Sequence, residues 1–194
     1  MKTFLIIIGA LLFLFVGAQI YFYKSSNNIE GYQYDVLTSF EGFEVRKYEA
    51  SLFTTVKLDT DKYKQASGKG FSILGGYIFG KNGRQERMSM TSPVAMTLEN
   101  KMTMSFLVPQ GLTKKNLPKP DNINIKFLEV PEKKMAAITF SGWASDAKIK
   151  KYKEQLIQLL DKNNIKYTSN FSVLGYNPPY ELFFRRNEIV VELD

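Results

Sequence analysis

The sequence predicts an α+β domain: a distorted β-barrel of two pseudo-symmetric ββαββ repeats with two helices packed outside, preceded by an N-terminal membrane helix or signal peptide. Three observations carry this. Segments with period-two alternation flank two stretches whose apolar residues recur every three or four positions. The order strand, strand, helix, strand, strand occurs twice, about 70 residues apart, a period longer than that of a solenoid repeat. An uncharged apolar run precedes both copies.

That run extends from Thr3 to Phe22, with no charge until Lys24. At ~1.5 Å per residue it makes about 30 Å of helix, enough to span a bilayer. Tyr21, Phe22 and Tyr23 followed by Lys24 read as an interfacial aromatic belt with a basic anchor. The rival is a cleaved signal peptide, for which Val16-Gly17-Ala18 supplies small residues before a cut after Ala18. Continuation of the run into Ile20-Tyr21-Phe22 favours the anchor. Either case places the globular part outside the cytoplasm. The expected organisation is an anchor or signal over 1–24, a polar linker over 25–35, and a domain over 36–194 with halves at about 36–110 and 123–194.

In the first half, FEVRKYEASLFTTVK (43–57) gives two strands with a tight connection near Glu49-Ala50. Asp59 or Thr60 is the expected cap of a helix whose apolar face carries Tyr63, Ala66, Gly70, Ile73, Leu74, Tyr77 and Ile78. Gly68, Gly70, Gly75 and Gly76 are each costly in a helix interior, by up to ~1 kcal/mol. Either they let something approach the backbone closely or Gly75-Gly76 ends the helix. Gly68-Lys69-Gly70 lacks the spacing of a phosphate loop.

A methionine-rich stretch, ERMSMTSPVAMTLENKMTMSFLVP (86–109), closes this half as an antiparallel pair turning near Glu99-Asn100-Lys101. Met88 and Met90 are two apart, as are Met102 and Met104, which in strands places each pair on one face.

In the second half, Ile123 to Val130 is a strand with Ile123, Ile125 and Phe127 on one face. Lys134 to Gly142 is the next. Ser145 caps a helix with the stripe Ile149, Tyr152, Leu156, Leu159 and Leu160. Lys166 to Gly175 is extended, and Glu181–Arg185 with Glu188–Glu192 is expected to form a hairpin across Arg186-Asn187.

Composition excludes several chemistries. There is no cysteine and no histidine. Serine, cysteine and zinc catalysis of the histidine-dependent kinds is therefore impossible, and so is histidine ligation of haem. Methionine thioethers can ligate soft metals, but their usual co-ligands are missing and Met readily fills irregular core gaps. The net charge is +7, with lysines interspersed among acids except around Lys148 to Lys153. No clustered basic face or motif for nucleic acid is present.

Ser145-Asp146-Ala147-Lys148 matches a serine–lysine nucleophile pattern but falls where a helix cap belongs, without companion motifs. Arg185-Arg186 opposite Glu188 reads either as an anion clamp or as local pairing in a surface turn. No catalytic or metal residue is assigned, and the protein is read as a non-enzyme.

Three passages resemble the SOUL haem-binding protein family: FEVRKYEASLFTTV (43–56); the glycine-bearing helix followed by MTSPVAM, with Met90, Thr91, Pro93 and Val94 matching best; and GYNPPYELFFRRNEIVVEL (175–193). The resemblance implies a barrel of two α/β repeats, also seen in bacterial effector-binding domains, and binding of haem or another tetrapyrrole without established catalysis. It places the ligand in a shallow apolar groove beside the first helix of the domain, at Lys64, Ser67, Gly68, Phe71 and Ser72, with Met90 beside it. The alternative is another amphipathic small molecule, as in effector-binding domains.

Overall fold

The structure is a computed structural model, and it describes residues 2–26, 29–99 and 101–194. Asn27 and Asn28 of the expected linker, Asn100 of the expected turn, and the side chains of Phe22 and Tyr23 in the expected belt lie outside the described set. The elements in order are α1 (Lys2–Ser26), β1 (Tyr34–Phe40), β2 (Phe43–Tyr48), β3 (Ser51–Lys57), α2 (Tyr63–Ile78), β4 (Val94–Thr97), β5 (Thr103–Leu107), β6 (Ile125–Val130), β7 (Lys133–Ser141), α3 (Asp146–Lys162), β8 (Tyr167–Gly175) and β9 (Arg186–Leu193).

The strands form one antiparallel sheet in the order β1-β2-β7-β9-β8-β4-β5-β3-β6. Exchanging β2 with β6, β3 with β7, β4 with β8 and β5 with β9 turns the order from β2 to β6 into itself. The sheet must curl. β2 and β3 stand six places apart, about 29 Å across a flat sheet at ~4.8 Å per strand. Yet only Glu49 and Ala50 join them, a link that reaches about 11 Å. Pro131 and Glu132 impose the same constraint between β6 and β7. The result is a half-barrel.

α2 packs on β3 and β5, and α3 on β7, β8 and β9. Alternation then sorts the side chains. On β9, Ile189 and Val191 join the core under the helices, while Glu188 and Val190 face the other way. The helix-side core takes Leu74, Tyr77 and Ile78 from α2 and Ile149, Leu156 and Leu160 from α3. A second cluster on the opposite face holds Tyr32, Tyr48, Phe53, Leu107, Met135, Ala137, Leu174 and Val190.

Several expectations change. The chain joins the domain before residue 36: Ser92 N–H donates to the Glu30 carbonyl, and Tyr32 N–H to the Ser92 carbonyl, both at 2.9 Å. Met88 and Met90 are not in a strand, because β4 begins only at Val94, after a cis Ser92–Pro93 peptide. Ile123 precedes β6 and is 85% exposed. Glu181 to Arg185 form no strand, since β9 pairs with β8 and β7 instead.

The helix caps also differ. Ser145 caps α3, its hydroxyl accepting from Lys148 N–H. The α2 N-cap is Lys62, whose side chain makes no capping bond. Asp59 instead pairs with Lys101 at 2.8 Å. Thr60 Oγ1 accepts from Lys62 N–H, and Asp146 of the other half accepts from Tyr63 N–H at 2.7 Å. One carboxylate in the first turn of α3 thus also serves an orphan donor at the start of α2.

The α2 glycines divide by what faces them. A Cβ on Gly70 would lie 2.8 Å from Met104 Sδ and 3.0 Å from Leu58 Cδ1, so the missing side chain sets how closely α2 sits on β5. A Cβ on Gly68 would meet nothing within 4 Å. Gly70→Ala is therefore expected to destabilise by about 1–3 kcal/mol through overpacking. Gly68→Ala should stabilise by about 0.5–1 kcal/mol through helix propensity. Urea midpoints of the two variants check this, and a shift of the same sign in both would contradict it.

Candidate functional site

Two surfaces can hold a ligand. The first is the outward face of α2. Lys64, Gly68, Phe71, Ser72 and Phe79 recur at helical spacing and are all exposed, with Ser67 half-buried at their margin. Phe71, 37% exposed, meets Phe106 edge-on at 5.5 Å. Phe79 is 54% exposed. A Cβ on Gly75 would stand in ordinary contact with both rings, at 3.5 Å and 3.8 Å, so Phe71 and Phe79 lie side by side over this part of the helix. The face is a flat apolar strip with a bare patch at Gly68 and an ammonium at its N-terminal end.

Met90 is half-buried in the segment after α2, which is tied to the helix end by Met88 N–H donating to the Ile78 carbonyl at 2.8 Å. Met96, Met102 and Met104 are at most 5% exposed and belong to the core. They cannot reach a ligand. Among the described residues no group of three or more acidic, histidine or cysteine side chains is placed to hold a metal.

The second surface lies where β7, β8 and β9 end or begin. It rests on a buried charge cluster across four strands. Glu188 on β9 is fully buried and receives Arg46 of β2 bidentately, at 2.9 Å and 3.1 Å. Tyr176 Oη donates to it at 2.7 Å, Thr139 Oγ1 at 3.1 Å and Arg186 Nη2 at 2.6 Å. Arg46 also donates to Glu44 and lies over the Tyr34 ring at 4.4 Å. Burial alone would raise the Glu188 carboxyl, but the Arg46 hydrogen bond and charge, with Tyr176 and Arg186, hold it below the ordinary carboxylate range. Burial, then the Glu188 charge, pushes the Tyr176 phenol well above its ordinary value. Arg186 and Glu188 do pair locally, but in a buried cluster rather than a surface turn.

Above this cluster opens a cavity of about 800 Å³. Tyr32, Tyr34, Phe140, Tyr152 and Tyr176 give it aromatic walls, and Arg186 gives it a cation. Arg186 Nε and Nη2 are engaged by Glu188 and Tyr34, while Nη1 carries no hydrogen bond among the described residues. Tyr32 Oη is buried without a hydrogen-bond partner among the described residues. Burial, then the Glu192 charge, pushes that phenol up to about 12.

The structure thus brings Lys64, Ser67, Gly68, Phe71 and Ser72 onto one helix face and leaves Met90 on the segment beyond it. None of the six lines the cavity. Sequence reasoning missed Phe79, although it stands eight positions after Phe71, a helical repeat. It also missed Tyr32, Tyr34, Tyr152 and Tyr176, which come from distant segments and share no local pattern.

A curled antiparallel sheet flanked by two helices, with an aromatic helix face and an aromatic cavity, defines a half-barrel domain of α+β type. The family model for SOUL heme-binding protein matches residues 29–192, and the chain belongs to that family. Heme-binding protein 1 of Xenopus tropicalis is 27% identical over 156 residues, covering 76% of this chain and 81% of that relative. Heme-binding protein 2 of Mus musculus is 24% identical over 159 residues, covering 76% of each chain. The solved C-terminal domain of EcmrR is similar in fold, with a TM-score of 0.59 at 10% identity, covering 83% of this chain and 98% of that one. A structure described as a hydrolase from Listeria innocua matches with a TM-score of 0.55 at 9% identity, covering 78% and 91%. Membership supports haem or tetrapyrrole as the ligand class.

Because the folded Glu188 value lies below the unfolded one, its contribution to stability is present above about pH 4.3 and lost as pH falls toward the folded value. Acid titration of the unfolding free energy should therefore be steeper for the native chain than for Glu188→Gln. Arg46→Met, which strands the buried carboxylate, should cost about 3–5 kcal/mol in urea unfolding at pH 7. Native-like stability of Arg46→Met would remove the cluster from its structural role.

Proposed function

We propose that this domain binds haem or a similar tetrapyrrole on the outward face of α2, without histidine ligation, as a membrane-tethered or exported protein. Its role is binding rather than catalysis. The observation that supports this best is the exposed strip of Phe71 and Phe79 beside bare Gly68, with Lys64 at one end. A porphyrin face is flat and apolar, and its propionates are anionic. Gly68 leaves room for the macrocycle, the phenylalanine rings supply apolar contact, and the Lys64 ammonium offers a partner for a carboxylate.

The residues present fit a macrocycle held by face contact better than one held by axial ligands. Histidine and cysteine are absent, and three methionine sulfurs are locked in the core. Met90 and Lys64 are the side chains near the strip that could approach iron. The relatives named for haem binding support the same ligand class.

Tethering is supported by α1, which is long and apolar enough to cross a membrane over Lys2–Tyr21, a span in which no described residue is fully buried. Export after cleavage at Ala18 is the variant of the same reading.

The cavity favours a second reading, a different amphipathic small molecule seated among Tyr32, Tyr34, Tyr152 and Tyr176, with an anionic group at Arg186.

Haemin titration of the full chain in detergent, followed by the Soret band and Trp143 quenching, separates the two. Saturable binding is expected at micromolar haemin. Lys64→Glu and Phe71→Ala should each weaken it about tenfold, or about 1.4 kcal/mol. Met90→Leu and Met104→Leu should leave it within about twofold if face contact rather than sulfur ligation holds the ring. Ser141→Trp, which fills the cavity mouth, should leave it unchanged. Loss of binding in Ser141→Trp with no effect of Lys64→Glu would move the ligand to the cavity.

A further inference from the structure

The connection between β8 and β9 is built inside-out. Glu181 is 1% exposed, while Leu182, Phe183 and Phe184 beside it are 45%, 53% and 81% exposed. Soluble loops do the reverse, carrying charge outward and apolar groups inward. Phe184 also holds a left-handed φ of +56°, a costly conformation for a bulky residue, and its ring is the most exposed of the three. Tyr180, 53% exposed, and Trp143, 51% exposed, extend the apolar surface.

This loop touches α1. Phe183 meets Phe15 edge-on at 6.4 Å, and Val16, Gln19 and Ile20 close a small cleft with Glu181, Phe183 and Phe184. Gln19 carries the one amide side chain in the apolar run. It donates to the Tyr180 carbonyl at 3.3 Å and accepts from Leu182 N–H at 3.1 Å. Arg185 satisfies the carbonyls of Asn177, Pro178 and Glu181. A loop in hydrocarbon needs its backbone polar groups paired within the protein, and here Gln19 and Arg185 pair the Tyr180 and Glu181 carbonyls and the Leu182 N–H.

We propose that Leu182, Phe183 and Phe184 form a second membrane contact, entering the leaflet that surrounds the C-terminal part of α1. The inference rests on the reading of α1 as an uncleaved anchor. With Lys24 at the water interface, Gln19 lies about 7 Å and Phe15 about 13 Å deeper along the helix. A loop packed against those two residues occupies the same depth, within the ~30 Å hydrocarbon core. Beside the loop, Trp143 lies under the Arg185 guanidinium at 3.9 Å, an aromatic and a cation of the types enriched at membrane interfaces. Phe184 and Arg185 also line the cavity, so its rim meets the lipid. An amphipathic ligand dissolved in the bilayer then has a direct way to the domain.

The chain has no cysteine, so single nitroxide labels report position directly. Phe183→Cys, Phe184→Cys, Leu11→Cys in mid-helix and Lys162→Cys at the far end of α3 are labelled in the full chain. Each is reconstituted in phosphatidylcholine vesicles, and collisions with oxygen and with a water-soluble nickel chelate are compared. Labels at 183 and 184 should match the label at 11, with high oxygen access and at least fivefold lower nickel access than the label at 162. In addition, Gln19→Leu should raise nickel access at 184 several-fold by releasing the loop.

Nickel access at 183 and 184 equal to that at 162, with position 11 still immersed, overturns the loop contact and leaves the anchor standing. Nickel access at position 11 as well overturns both. Spin–spin broadening at 184 would assign the loop to contact between copies of this chain and likewise overturn the proposal.

Discussion

The Glu188 carboxylate is the point on which the sheet depends. It accepts from Arg46 on β2, Thr139 on β7, Arg186 on its own strand and Tyr176 just beyond β8. Through Arg186 the cluster reaches Tyr34 on β1. A lone buried carboxylate is costly, and a buried pair is often no more stable than apolar packing. What this arrangement contributes is specificity. A one-residue slip of β2 on β7 would take Arg46 off the Glu188 side of the sheet and leave a charge without a partner. The apolar positions of β7 and β9 tolerate several registers far better than this carboxylate does.

The same cluster shapes the cavity above it. Arg186 and Tyr176 belong to both, so the buried Glu188 carboxylate holds in place two of the side chains that line the opening. The α2 face is constructed differently. Its position comes from a missing side chain: Gly70 lets the helix settle onto Met104, and Phe71 and Phe79 pack over Gly75 on the outer side. One surface is positioned by electrostatics and the other by close packing. They respond to different substitutions, which makes them separable by experiment.

The helices, most strand positions and the ββαββ order were readable because each depends on local periodicity. The α3 cap was readable because Ser145 is adjacent to its acceptor role. The α2 cap was not, since Asp146 comes from 83 residues away. Met88 and Met90 showed the right alternation, but pairing in the sheet starts only past the cis Ser92–Pro93 peptide, so period two was a false guide there. Of the candidate site, the five α2 positions fell on one face, with Ser67 at its margin, as helical spacing requires. The cavity was invisible because its tyrosines come from four separate places, the segment before β1, β1 itself, α3 and the position just beyond β8, which only the tertiary fold brings together. Arg185-Arg186 and Glu188 were noticed, but their burial was not readable, since nothing local shows that Arg46 arrives from β2.

The two short links, Glu49-Ala50 and Pro131-Glu132, bear on how the chain acquires its structure. Each carries the chain from one half of the sheet to the other, so β2 completes the sheet around β7, and β6 the sheet around β3. Neither repeat therefore owns all of its strands. A nascent chain ending before β7 has no place for β2 except against β1, and β3 lacks one neighbour until β6 emerges. Contacts of such long sequence separation slow folding and favour an all-or-none transition. Despite a sheet order that reads the same from either end, the domain is one folding unit, and a cut between the halves would leave each with an unpaired edge.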